Sequence, residues 1–592
     1  MKEKQKNDLE WDLTRYFPNV ESPELANSVE QLIKDCSQLM EEFQGLEPGK
    51  GMESIDEYIK KMDHLDSLLR RTGVYLNCTV SANSNDVLAQ KLLSRLAKAS
   101  SERSKASTLF SAWIGTLHAK SLVNHSKLTQ SHSYVLERTH FLSAKQMTPE
   151  AESVSEDLKL SGAVAWSRLY GDITSQMKVV VKGQKDPVGM SETRTLAYNA
   201  DRDVRANAYN AEIEAWRENQ VPIAACLNGI KGASLTLTKH RAWNTVLSQS
   251  LYFAGIDEAT LSVMMETARN YFPEFRRYLR LKAKALQIPT CAFYDLFAPI
   301  PASGNQKEPK KWDYSEACDF VLDRFNEFAP QMGELAQKSF SQRWIDVMPR
   351  QGKRDGAFCA GSGKGESLVM MNFKSSYGSV STLAHELGHA YHNYCLRDTT
   401  SLQRRIPMTL AETASTFCEI LCRNKALEIM DGAQKLEVLE AALQNASQIV
   451  VDITSRFLFE SRMIEARKNS DVSSEEICEI MRQAQIETYG DGLDPSLLHP
   501  YMWAAKPHYY GSDFYNYPYM FGLLFAQGLY ARYLAEGKSF IDRYERLLGH
   551  SGMDSPANLA NEFGIDIRKG DFWEDSLKVI VADIERFEAL VK

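Results

Sequence analysis

With 592 residues, 44% of them apolar and 25% charged, the chain is long enough to bury a large core and to form more than one lobe. Its formal charge of -8, without any long run of Lys or Arg, excludes an electrostatic case for nucleic acid or an anionic membrane surface. Ten Cys, scattered apart from Cys418 and Cys422, argue against a disulfide framework and for reduced thiols.

The opening residues, Met1-Lys-Glu-Lys-Gln-Lys, lack the continuous apolar stretch of an export signal. No later stretch reaches about 18 uncharged apolar residues, since the run 520–535 is broken by Gln527 and Arg532. The expectation is a cytoplasmic protein. From residue 22 to about residue 176, apolar positions recur at helical spacing, as in Leu32, Ile33, Cys36 and Leu39 and again in Leu88, Leu92, Leu93 and Leu96. Residues 177–188, with Val179-Val180-Val181 ahead of Gly183 and Pro187, read as a short strand or hairpin closing this lobe. A helical N-terminal lobe is therefore expected over residues 1–190, and every motif described below falls in 191–592. Helices resume over 202–219 and 222–237. Pro299, Pro301, Gly304 and Pro309 mark a surface loop ahead of Trp312, and an amphipathic helix follows over 315–337. The fold class is mainly α.

Residues 352–365 hold five Gly, and the runs 357–360 and 368–373 read as two strands around a glycine-rich turn. Gly361-Ser-Gly-Lys364 is no phosphate loop, because Gly365 follows the lysine and no helix opens there. A sheet edge can hold an extended peptide through backbone hydrogen bonds, which makes Gly356, Ala357, Phe358 and Cys359 candidate substrate-binding residues.

The next stretch is His385-Glu-Leu-Gly-His-Ala-Tyr-His392, with an apolar lead (Val380, Leu383, Ala384) and no Pro over 379–398, so it reads as a helix. Positions four apart on a helix lie about 40° apart in azimuth, so His385 and His389 can hold one divalent metal between them. Neutral imidazoles suit zinc, and Glu386 beside the first ligand is placed to take a proton from water. The third ligand is assigned to Glu412, 23 residues after His389, in a helix whose small residues permit close approach. Glu419, on the same face as Glu412, and His392 are expected as hydrogen-bonding partners behind the ligands. His392 lies about 10.5 Å along the axis from His385, which strains its use as a ligand. Cys418 and Cys422 read as core thiols. Finally, residues 508–519 contain five Tyr and one His, candidates for donors to a developing oxyanion and, in Tyr515, for substrate contact.

Assembled, the chain resembles the oligoendopeptidase F branch of the thimet oligopeptidase family of zinc metallopeptidases. The stretches that carry the resemblance are Arg354-Asp-Gly-Ala-Phe-Cys359, Thr382-Leu-Ala-His-Glu-Leu-Gly-His-Ala-Tyr-His392, Leu410-Ala-Glu-Thr-Ala-Ser415, Pro507-His-Tyr-Tyr510 and Phe514-Tyr-Asn-Tyr517. They cover the part from about residue 200 onward. The resemblance implies a multi-helical ellipsoid with a central channel and a small β-sheet beside the zinc helix, acting on oligopeptides without an obligatory protein partner. It also implies that one Zn2+ is bound by His385, His389 and Glu412, that Glu386 activates water, and that His508 with a following tyrosine stabilises the tetrahedral intermediate. Tyr509 stands where the family more often has Phe, and Pro518 follows the expected donor, so Tyr517 and then Tyr510 are favoured. The expected activity is cleavage of internal peptide bonds. A zinc carboxypeptidase and a peptide-binding protein without catalysis are the two other readings.

Overall fold

The computed structural model describes residues 9–300 and 310–591; of the loop expected ahead of Trp312, Pro301, Gly304 and Pro309 lie outside them. The chain is mainly α, and among the described residues the sheets have two and three strands. Its contacts divide it into two compact units. The first takes the chain up to Gln146 together with Lys310–Glu428 and Arg532–Ile565, and the second takes the segments between and after these. Contacts thus group the chain differently from a single boundary near residue 190. The reason is a shared core: Leu25, Leu32, Leu76 and Leu96 of the early helices are buried in one cluster with Leu368, Met370 and Leu402. Periodicity tells which face of a helix is apolar, not which distant segment covers it.

In the first unit, Pro23–Gln44 starts where Ser22 caps the amide of Leu25 and Pro23 occupies the first turn. Leu25, Val29, Leu32, Cys36 and Leu39 then line its buried face at three- and four-residue steps. Ile55–Ala82 and Val87–Ile114 follow, the latter capped by Asp86 on the amide of Ala89 at 2.9 Å. The expected strand pair forms: Phe358–Gly363 runs antiparallel to Glu366–Met370, in the register Phe358 opposite Met370 and Gly361 opposite Ser367. Its turn needs left-handed backbone at Gly363 (φ 105°), Lys364 (φ 50°) and Gly365 (φ 77°), which glycine supplies without strain at two of the three positions. Ile345–Asp346 pairs in parallel on the other side, so Glu366–Met370 is central and Phe358–Gly363 is an edge strand. Leu368, Val369 and Met370 are buried, whereas the edge strand is half-buried along its length.

In the second unit, the stretches expected as two helices form one, Arg202–His240, running through Pro222. Proline frees the carbonyl four residues back. That residue, Glu218, is exposed, as are Val221 and Pro222, so water can take the missing bond. The hairpin is present as Lys178–Val179 paired with Val188–Gly189. Lys231, 1% exposed, is held by Glu460 at 2.6 Å and Asp513 at 2.7 Å, tying the long helix to Ile453–Arg467 and to the loop that follows His508. Among the described residues no helix is long and apolar enough to cross a membrane.

Candidate metal centre

The HExxH stretch lies in the helix Tyr377–Cys395, which packs across the strand pair in the first unit. Asn393 donates to Ser367 Oγ at 3.1 Å, and a Cβ on Gly361 would fall 2.6 Å from Asn393 Oδ1, so glycine sets how closely strand and helix approach. One turn apart, the rings of His385 and His389 lie 4.8 Å apart and nearly perpendicular, at 85°.

Glu412 sits at a break in the chain, between the short helix Met408–Ala411 and the longer Thr413–Ile429. The break turns its carboxylate toward the imidazoles: Glu412 Oε2 is 3.4 Å from both His385 Nε2 and His389 Nε2. Ser415 Oγ, 2.7 Å from the same carboxylate oxygen, holds it there. The donor atoms of these three residues lie within 4.8 Å of one another. Ligands at about 2.1 Å in a tetrahedron stand about 3.4 Å apart, so the spacing suits one small divalent ion.

Gly388, between the two histidines, makes this approach possible. A Cβ there would fall 2.6 Å from Ser415 Cα and 2.7 Å from the carbonyl oxygen of Ala414, and backbone cannot yield as a side chain can. The expected result for Gly388→Ala is a destabilisation of about 1–3 kcal/mol, read by thermal unfolding, together with weaker metal retention on dialysis. A variant as stable and as metal-tight as the wild type would show that the close approach is not needed.

The electrostatics favour a cation. Burial alone would lower the pKa of His385, but its hydrogen bond to Glu419 and the charges of Glu419, Glu386 and Glu412 outweigh it and bring it to about 9. Burial likewise works to raise Glu412, yet the hydrogen bond and charge of His389, with His385, hold it at about 2. Glu419 Oε1 accepts from His385 Nδ1, which leaves Nε2 of that ring turned toward the other donors. Glu386 is 5% exposed, burial raises its pKa, and its Oε2 has no hydrogen-bond partner among the described residues. An unpaired carboxylate oxygen in a buried setting is a waiting proton acceptor. His392 is buried one turn further along, with Nε2 on Ser551 Oγ at 2.8 Å; burial, helped by His389, takes it down to about 3, so it stays neutral. Cys418 and Cys422 are buried free thiols, Cys418 lying against Met332 Sδ at 3.9 Å.

Of the expected substrate residues, Phe358 and Cys359 lie on the edge strand and Gly356 and Ala357 lead into it. Phe358 packs on the core of the first unit, while Cys359 Sγ lies 3.9 Å from Asn393 of the HExxH helix. Gly356, at φ 87°, accepts from Asn372 Nδ2 at 3.0 Å.

The tyrosine-rich stretch belongs to the second unit. Tyr510 stacks on Tyr170 at 3.6 Å, and its hydroxyl donates to the Trp503 carbonyl at 3.3 Å. Tyr517 is 1% exposed, and its hydroxyl meets Ser250 Oγ at 3.2 Å. Both hydroxyls expected as oxyanion donors are thus buried and already engaged. Tyr515 is half-buried, stands 4.6 Å from the ring of His508, and pairs with the Tyr519 hydroxyl at 2.9 Å. Tyr509 is 1% exposed with an unpartnered hydroxyl among the described residues, which fits a position that phenylalanine would fill. Sequence reasoning missed Ser415, Ser551 and Asn516. Ser415 and Asn516 lie inside stretches that carry the resemblance, but a lone polar side chain carries no sign of its partner.

The sequence pattern of peptidase family M3 matches residues 195–579. Oligopeptidase PepF of Bacillus subtilis (strain 168) is 23% identical over 98% of this chain and 87% of its own length. The group B oligopeptidase PepB of Streptococcus agalactiae serotype III (strain NEM316) is 23% identical over 98% of this chain and 97% of its own. The crystal structure of oligoendopeptidase-F from Enterococcus faecium superposes with a TM-score of 0.71 at 18% identity, covering 96% of this chain and 99% of that one.

Proposed function

The chain belongs to peptidase family M3 and is a zinc metalloendopeptidase acting on oligopeptides; we propose that His385, His389 and Glu412 hold one zinc ion and that Glu386 is the base. The observation that carries this reading is the convergence of three donor atoms beside a buried carboxylate that has an unused oxygen. Two imidazoles and a carboxylate are a donor set that suits zinc and leaves a position open. Bound there, the ion supplies Lewis acidity to water and to the scissile carbonyl.

The chain's own groups do the rest. Glu386 takes the proton of the attacking water on its unpaired oxygen and delivers it to the leaving amine. Glu419 fixes the His385 ring through Nδ1, and Ser415 fixes the Glu412 carboxylate. The edge strand Phe358–Gly363 receives the substrate backbone in extended form. The resemblance supports His508 and a neighbouring tyrosine as the groups that meet the reacting part of the substrate, with a hydroxyl as donor to the oxyanion. Among the tyrosines expected there, Tyr515 is the one this reading favours over Tyr517 and Tyr510, because its side chain is partly exposed while theirs are buried. The cytoplasm, where unfolded peptides need turnover, is the proposed compartment.

Mass spectrometry of products from synthetic oligopeptides tests the reaction. Internal cuts from the first turnover are expected, and blocking the substrate's C-terminus as an amide should leave them unchanged. Stepwise loss of single C-terminal residues would replace this reading with a carboxypeptidase.

A further inference from the structure

The loop after His508 is wired into the second unit through a chain of polar side chains that the proposed mechanism has not used. A π-turn at Gln448–Asp452 interrupts the helical run just ahead of Ile453–Arg467. Such turns shift the register of the side chains beyond them. Asp452, at its end, and Arg456 stand four residues apart, one helical turn, and both are buried. Arg456 Nη2 donates to Asp452 Oδ2, and Arg456 Nη1 donates to Asn516 Oδ1 at 3.1 Å. The same Asn516 oxygen lies 3.2 Å from His508 Nδ1.

An asparagine can present oxygen or nitrogen to a neighbour, and the choice is settled by the rest of its network. Arginine has only donors. The Asn516 atom facing Arg456 is therefore the oxygen, and an imidazole nitrogen facing that same oxygen must carry its hydrogen. We propose that Arg456 and Asn516 are positioning residues that fix His508 as the Nδ1–H tautomer, so that Nε2 meets substrate as a hydrogen-bond acceptor. Burial and the charges of Arg456 and Lys506 work to keep the ring neutral, against the single hydrogen bond to Asn516. A neutral ring with hydrogen on Nδ1 has a lone pair on Nε2, suited to a substrate N–H rather than to an oxyanion. The oxyanion bond then falls to a tyrosine hydroxyl, and Tyr515 is beside the ring.

This inference rests on the reading that His508 contacts substrate, and two readouts separate the two. The first is 15N NMR of histidine-labelled, zinc-loaded full-length protein, with the His508 signal identified by its loss in His508→Asn. Wild type is expected to show protonated Nδ1 and bare Nε2 at mildly alkaline pH. Asn516→Leu, or the smaller Asn516→Ala if that variant does not fold, is expected to move the proton toward Nε2, whereas Asn516→Asp keeps it on Nδ1. Protonated Nε2 in the wild type, or an unchanged signal in Asn516→Leu or Asn516→Ala, would overturn the proposal. The second readout is kinetic. Asn516→Leu should lower kcat by about 10–100-fold with KM little changed, the size expected for a group that orients another. Wild-type turnover in His508→Asn would instead remove His508 from the mechanism, whatever its tautomer, and with it the catalytic consequence drawn here.

Discussion

Glu386→Gln is expected to keep its zinc and lose turnover by about 10²–10⁴-fold, the range for removing a general base. The substitution is nearly isosteric, the side chain is buried, and its Oε2 has no hydrogen-bond partner among the described residues. Replacing the unpaired oxygen by an amide therefore breaks no structural bond. What it removes is the basicity of the carboxylate, since an amide does not take up a proton near neutral pH, so the loss should appear in kcat while KM for a peptide and the unfolding temperature stay close to wild type. Zinc content measured on the same sample closes the test. Wild-type turnover in a zinc-loaded Glu386→Gln protein would mean that another group takes the proton.

Glu412→Ala is expected to lose the metal. If the roughly 10–16 kcal/mol of a four-ligand zinc site were shared evenly, one ligand would be worth about 3 kcal/mol, or a hundredfold or more in affinity. Its removal also releases Ser415 and leaves the two imidazoles with no carboxylate between them. Competition with a chromogenic chelator measures the affinity. Glu419→Gln, which alters the partner behind His385 and leaves the three donor residues in place, should fall less, by about 10–100-fold. A Glu412→Ala protein that kept wild-type zinc affinity would show that the carboxylate lies near the histidines without serving as a ligand.

The difference in what could be read beforehand follows from distance along the chain. The pairing of His385 with His389, the placement of Glu386 and the strand pair around Gly363 all depend on periodicities within a few residues, and they are visible in the sequence. Glu412 is legible only because its spacing and its neighbours repeat a known pattern. Its local conformation was not: the break that aims it, and the glycine at 388 that lets Ser415 approach, are fixed by the packing of two separated segments. The tyrosines make the same point. Five hydroxyls within a dozen residues look equivalent in one dimension, and only tertiary packing distinguishes Tyr510 and Tyr517, which are buried and bonded to Trp503 and Ser250.

By itself the sequence determined a mainly helical chain, the metal-binding helix and the class of chemistry, because each is encoded in side-chain type and short-range spacing. Tertiary structure alone decided that the early helices share a core with the strand pair, that Pro222 is carried inside one helix, and that Arg456 and Asn516 hold His508. Those outcomes depend on which surfaces meet across tens to hundreds of residues, and an apolar face or a lone donor does not name its partner.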